Sequence, residues 1–147
     1  MNNIVKKHGS KDHRQFPRLE QEFTVYYEVV SNELTEPLVQ LARKGKARNI
    51  SGGGLYLVLS GIHQRAIRKL LNHQNKLSLE FYLPDFQDRV RVFAEVRWSR
   101  GKPRWWDVLP RCWELGVRFV YIHPETRDAI VKYVINKQIE DHLTETG

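Results

Sequence analysis

Two short strings hold the residues best suited to chemistry. Arg14-Gln-Phe-Pro-Arg18 sets two guanidiniums four positions apart, and Asn49-Ile-Ser-Gly-Gly-Gly54 follows about thirty residues later. A guanidinium is a planar, permanently charged fork that meets phosphates and paired acceptors through two hydrogen bonds at once. Pro17 stiffens the first string and biases Phe16 away from helix. The second string places short polar side chains at a strand exit, beside glycines free to take positive φ and to let a ligand approach the backbone. Together the strings suggest a site for nucleotide phosphates. Each alone has a plainer explanation: a solvated charge run for the arginines, an ordinary turn for the glycines.

The elements that must position them read as mostly β. Residues 1–18 are polar and basic, without apolar periodicity, and are expected to form a flexible arm. A strand is expected over 23–30, with Phe23, Val25, Tyr27 and Val29 on one face, followed by strands over 38–50 and 55–59. The clearest hairpin joins 76–83 to 89–98 through Pro84-Asp-Phe-Gln-Asp88, with Val90, Val92, Ala94, Val96 and Trp98 inward. The last strand, 112–122, presents Trp113, Leu115, Val117, Phe119 and Tyr121 to one side. Six short strands at this spacing point to a barrel or sandwich.

Two helices interrupt the pattern. Residues 61–72 carry Ile62, Ala66, Ile67, Leu70 and Leu71 at helical spacing. A longer helix starts at Pro124 and carries the stripe Val131, Ile135, Ile139 and Leu143, flanked by Ile130 and Val134. The stripe is assigned first to barrel packing and second to a dimer seam.

Composition narrows the class. The 147 residues amount to one domain, and 41% hydrophobic with 28% charged residues is ordinary globular usage. The single Cys112 excludes an internal disulfide and a zinc site of paired cysteines, and the six histidines lack ligand spacing, so no metal is expected. No apolar run is long enough to cross a bilayer and no secretory segment opens the chain, which implies a cytoplasmic protein. A net charge of +7 favours a polyanion: nucleic acid, an anionic membrane surface or a phosphorylated small ligand. Neither a nucleophile elbow, a Walker phosphate loop nor a paired-carboxylate arrangement is present; no catalytic residue is assigned, and the chain is read as a binding protein.

The order and separation of the two strings, followed by Ser51-Gly-Gly-Gly-Leu55, Ala94-Glu-Val-Arg-Trp98 and Leu115-Gly-Val-Arg-Phe119, resemble the PilZ family of bacterial cyclic di-GMP receptors over residues 14–122. The resemblance implies a six-stranded antiparallel PilZ-type β-barrel with a short accessory helix and a long C-terminal helix. Its parts are an arm at 1–18, a barrel at 19–122 with a helical insertion at 61–72, and a helix at 123–143 packed on the barrel. The implied ligand is cyclic di-GMP, with no further cofactor. Its candidate contacts are Arg14, Arg18, Asn49, Ser51, Gly52, Gly53, Gly54 and Trp98.

Guanine presents O6 and N7 on one edge, which an arginine fork meets in bidentate fashion. The two arginines would therefore hold a guanine edge and a phosphate, or two guanines of an intercalated pair. Asn49 and Ser51 would donate to the ligand, and Gly54 would leave it room. Trp98 has two readings: core packing, which its inward parity favours, and stacking on a guanine.

As a receptor of this kind, the protein would close its arm over the nucleotide and signal to a protein effector in motility, biofilm or virulence control, as a monomer or homodimer. Two alternatives stand beside it. One is a basic nucleic-acid-binding barrel using Arg97, Arg100, Lys102, Arg104 and the tryptophans Trp105 and Trp106. The other is a nucleotide-independent PilZ adaptor of a motility or secretion machine.

Overall fold

Apolar residues at every second position put one face of each strand inside and the other in water, and six such strands close on themselves. The computed structural model of the chain describes residues 16–32, 43–102 and 112–146. The strands are β1 (Arg18–Ser31), β2 (Arg43–Ser51), β3 (Gly54–Ser60), β4 (Asn75–Phe81), β5 (Val90–Lys102) and β6 (Cys112–Tyr121); α1 (Gln64–Leu71) lies between β3 and β4, and α2 (Pro124–Thr146) follows β6. The barrel runs β1-β2-β3-β6-β5-β4 and is antiparallel at every seam. Closure leaves no sheet edge to protect. Inside, Val25, Leu57, Leu59, Leu77, Phe81, Ala94, Val96 and Leu115 are all fully buried.

Observed strands depart from the expected ones where the ladder is irregular. β1 begins at Arg18 rather than at residue 23. Its polar run Glu20-Gln21-Glu22 hides the alternation, and a register shift between Glu20 and Phe23 absorbs it. Residues 38–42 of the expected second strand lie outside the described residues. Trp98, expected inward, is instead 43% exposed, because the register shifts between Val96 and Trp98 and the extra residue reverses the parity. Tyr121, also expected inward, is exposed for the same reason: a shift between Phe93 and Ala94 turns it outward against Phe93, their rings edge-to-face with centroids 6.1 Å apart.

The helices are shorter and longer than expected. α1 covers only Gln64–Leu71, buries Ile67 and Leu70 and packs on β4 and β5, while Leu71 is exposed. His63 caps it, its Nδ1 accepting from the Arg65 N–H at 3.0 Å. α2 runs 23 residues, about 35 Å. Its first turn is held the same way, His123 Nδ1 accepting from the Glu125 N–H at 3.2 Å.

The packing face of α2 is not the stripe read from the sequence. Ile130, Tyr133 and Val134 are buried, whereas Ile135, Ile139 and Leu143 are 40%, 52% and 62% exposed. Adjacent helical residues point about 100° apart, so burying Val134 turns Ile135, Ile139 and Leu143 away from the barrel, while Val131 at the start of that row still reaches Gly52. Tertiary hydrogen bonds select that rotation. The Tyr133 hydroxyl donates to Gln21 Oε1 at 2.9 Å, and Gln138 Nε2 donates to the Arg18 carbonyl at 2.8 Å. Both bonds fasten α2 to β1, which carries Arg18, and the helix also packs on β2, which carries Asn49 and Ser51.

Candidate functional site

The turn Ser51–Gly54 is the floor of a surface cleft, and its shape comes from one side chain. Ser51 Oγ accepts from the Gly53 N–H at 3.0 Å and from the Gly54 N–H at 3.2 Å. Both lone pairs of the hydroxyl are thus occupied, which leaves its own proton as the group free to reach a ligand. The Gly53 carbonyl in turn accepts from the Phe119 N–H at 2.9 Å, pinning the turn to β6.

The glycines fit the turn closely against the rest of the protein. None of the three takes a positive φ. Gly54 approaches β6 so closely that a Cβ would stand 2.0 Å from the Val117 carbonyl oxygen. At Gly52 a Cβ would meet Val131 of α2 at 2.6 Å and the Phe16 ring at 3.2 Å. The missing side chains therefore admit protein: a neighbouring strand at Gly54, and Phe16 with the C-terminal helix at Gly52.

The cleft has a volume of about 730 Å³ and draws on the residues just before and at the start of β1, on the barrel strands and on the first turns of α2. Of the sequence-derived residues, Arg18, Asn49, Ser51, Gly53, Gly54 and Trp98 line it. Gly52 lies behind it, under Phe16 and Val131. Arg14 lies outside the described residues, as do Arg104, Trp105 and Trp106.

Sequence reasoning left out Phe16, Tyr56, Gly116, Arg118 and Arg127 and placed Arg97 elsewhere; all six line the cleft. Arg127 comes from the first turns of α2, donates from Nε to the Gly52 carbonyl at 3.2 Å and sits 5.5 Å from the Phe16 ring centroid. No spacing rule links it to a turn 75 residues away. Gly116 and Arg118 were visible within Leu115-Gly-Val-Arg-Phe119, but only the pairing of β6 with β3 and β5 brings them to the cleft.

The electrostatics are one-sided. Arg18, Arg97, Arg118 and Arg127 line the cleft, and no carboxylate does so among its described lining. Arg118 is ion-paired with Glu95, and Arg18 approaches Glu20 at 3.8 Å between two exposed side chains. A concave wall of four guanidiniums attracts a compact anion bearing more than one charge.

Beside the cleft a buried carboxylate organises the aromatic wall. Glu114 is fully buried, accepting from Arg100 Nε at 2.7 Å and pairing with Arg48 at 3.4 Å. Its hydrogen bond raises the Arg100 guanidinium further above an already high value. Arg100 also donates to the Tyr56 hydroxyl at 3.3 Å, and Tyr56 meets Trp98 edge-to-face, their centroids 5.4 Å apart. Among the described residues, no cluster of His, Cys, Asp and Glu could hold a metal ion.

The sequence profile of the PilZ domain matches residues 12–136, which span the barrel, the glycine turn and the start of α2. The chain belongs to the PilZ domain family. Among curated proteins, none matches it. The PilZ fold is shared with the Bacillus subtilis inhibitor of motility MotI/DgrA, at 20% identity and a TM-score of 0.59, over 86% of this chain and 52% of that one. It is shared with Borreliella burgdorferi PlzA, solved in complex with c-di-GMP, at 11% identity and a TM-score of 0.52, over 95% of this chain and 57% of that one. The PilZ domain of Escherichia coli YcgR, solved with c-di-GMP, matches at 12% identity and a TM-score of 0.52, over 92% of this chain and 98% of that domain. This PilZ chain thus spans about half the length of the first two. At these identities the likeness is one of fold. No helix among the described residues is long and apolar enough to cross a membrane.

Proposed function

We propose that this PilZ domain is a receptor for cyclic di-GMP and that the arginine-lined cleft is its binding site. The observation that carries the reading is the convergence of Arg18, Asn49 and Ser51 with three further arginines in one cleft that has no carboxylate among its described lining. Two phosphodiester charges and two guanine edges are what such a wall can satisfy. The ligands named for PlzA and for the YcgR domain support the same choice.

Within this reading Arg18 and Arg14 grip the nucleotide from the N-terminal side, and Ser51 donates its hydroxyl proton. Asn49, 6% exposed, supplies an amide at the cleft wall. Phe16, at the centre of the first string, lies against Arg127 of α2, so nucleotide bound at Arg18 bears on the helix as well as on the residues that precede it. Closure of the N-terminal segment over the nucleotide would alter a surface that a protein effector reads. Motility control is the output suggested by the description of MotI/DgrA.

The nucleic-acid reading is weaker. Arg97 lines the cleft, and Arg100 is committed to Glu114.

Isothermal titration with cyclic di-GMP, with GTP and GMP as controls, tests the receptor reading. Selective binding and a stoichiometry of one or two nucleotides per chain are expected. Absence of heat and of competition from a folded sample would reject it. A steep salt dependence with duplex or single-stranded DNA would favour the nucleic-acid reading instead. For the arm, nucleotide should increase amide-exchange protection over residues 8–20; unchanged protection would remove that part of the proposal.

A further inference from the structure

The irregularity in β5 that turns Trp98 outward has a second effect. Val96 pairs with Val117 and Trp98 with Gly116, so Arg97 is the residue inserted between two consecutive pairs. In a regular strand neighbouring side chains point to opposite faces; at a bulge two successive ones can share a face. Here Arg97 and Trp98 are both exposed, and both line the cleft.

Arg97 also differs from the other arginines of the cleft. Arg118 is bound to Glu95, Arg127 to the Gly52 carbonyl, and Arg18 lies near Glu20. The Arg97 guanidinium has no ion-pair or hydrogen-bond partner among the described residues. Its neighbour is held firmly: Trp98 lies against Gly116 on one side and the Tyr56 ring on another, and Tyr56 is fixed through Arg100 to the buried Glu114. A planar aromatic in a set position beside an uncommitted fork is the pairing that recognises a purine, through its face and its edge at once.

We infer that Arg97 is a specificity-determining binding residue, which reads the O6/N7 edge of a guanine held beside Trp98, while the arginines near the glycine turn take the phosphodiester charge. This inference rests on the receptor reading and goes beyond it by assigning base discrimination to β5. Adenine carries an amino donor where guanine carries O6, so the same fork cannot make both bonds to adenine.

The experiment compares cyclic di-GMP with cyclic di-AMP, which share the phosphodiester ring, on wild-type protein, Arg97→Ala and Arg97→Lys. Wild type is expected to prefer cyclic di-GMP. Arg97→Ala should lose about 5- to 150-fold in affinity for cyclic di-GMP and much less for cyclic di-AMP, so that the preference narrows. Arg97→Lys keeps the charge without the fork; it should lose the preference while retaining the wild-type salt dependence. Circular dichroism and a thermal melt check that each variant folds, and the lysine variant decides the matter if the alanine variant does not. Equal losses for both nucleotides would make Arg97 a phosphate contact and overturn the inference, as would unchanged preference in either folded variant. Wild-type protein that binds neither nucleotide would overturn the receptor reading and this inference with it.

Discussion

The indole of Trp98 occupies the space that any side chain at position 116 would need: a Cβ on Gly116 would lie 2.0 Å from its Nε1. The contact joins β5 to β6 on the outside of the barrel and fixes where the aromatic wall of the cleft stands. The atoms that would be displaced belong to a half-exposed side chain rather than to backbone, so Gly116→Ala, which pushes the indole from its seat, should cost the fold no more than about 1–3 kcal/mol. Its effect should fall on the site. Cyclic di-GMP affinity is expected to drop several-fold with a native far-ultraviolet spectrum, and tryptophan emission should shift; wild-type affinity would show that the indole position does not matter to the ligand.

Arg18 anchors the opposite side. A charged bidentate donor contributes about 1.5–3 kcal/mol, so Arg18→Ala should weaken cyclic di-GMP binding about 10- to 150-fold, and with Arg14→Ala binding should become undetectable. Titration of the single and double variants measures this. Full affinity in the double variant would reject the assignment of the first string.

The glycine turn separates two kinds of cost. Ser51→Ala leaves the Gly53 and Gly54 amides without their acceptor and should destabilise the free protein by about 1–3 kcal/mol. Gly54→Ala drives a Cβ into the Val117 carbonyl, a backbone atom that cannot rotate aside, and should destabilise it more. Urea midpoints of the two variants give the order; a smaller shift for Gly54→Ala would mean that β3 and β6 separate easily at this point.

For α2 the buried and exposed faces predict opposite outcomes. Ile130→Ala removes a fully buried side chain and should cost about 2–5 kcal/mol. Ile139→Ala changes a residue that is 52% exposed and should stay within about 0.5 kcal/mol. Equilibrium unfolding of the isolated chain compares them. A large cost at Ile139 would mean that the exposed stripe is covered in solution.

Tyr27 gives the protein a pH dependence. Burial pushes its phenol above the ordinary value of 10.0, against a smaller opposing pull from Arg43. Its hydroxyl makes no hydrogen bond of normal geometry among the described residues, so the pull of Arg43 is weak and burial dominates. The folded state holds this proton more tightly than the unfolded chain does. The resulting stability is complete below pH 10 and is lost as pH rises from there through the folded value. Melting temperatures of Tyr27→Phe should therefore fall less steeply above pH 10 than those of the wild type, and at pH 7 the variant should be neutral or slightly more stable. Parallel pH profiles would rule out Tyr27 as the source.

The amino-acid sequence by itself determined the strand set, because period-two alternation in segments such as 76–83 depends only on which residues are apolar. It also determined the family, through two strings and three strand fragments in a set order, and it pointed to Arg18, Asn49, Ser51 and the glycines. Tertiary structure decided which way side chains turn and which distant residues meet. Bulges in the β5–β6 seam reversed Trp98 and Tyr121, since one inserted residue inverts the parity of all that follow. The rotation of α2 was set by Gln21 and Arg18 across the chain, and it buried Ile130 and Val134 while leaving Ile135, Ile139 and Leu143 outside. Phe16 and Arg127 meet at Gly52 although they are more than a hundred residues apart. Local periodicity carries no term for such contacts; only the docking of α2 on the barrel, which brings its first turns to Phe16 and Gly52, creates them.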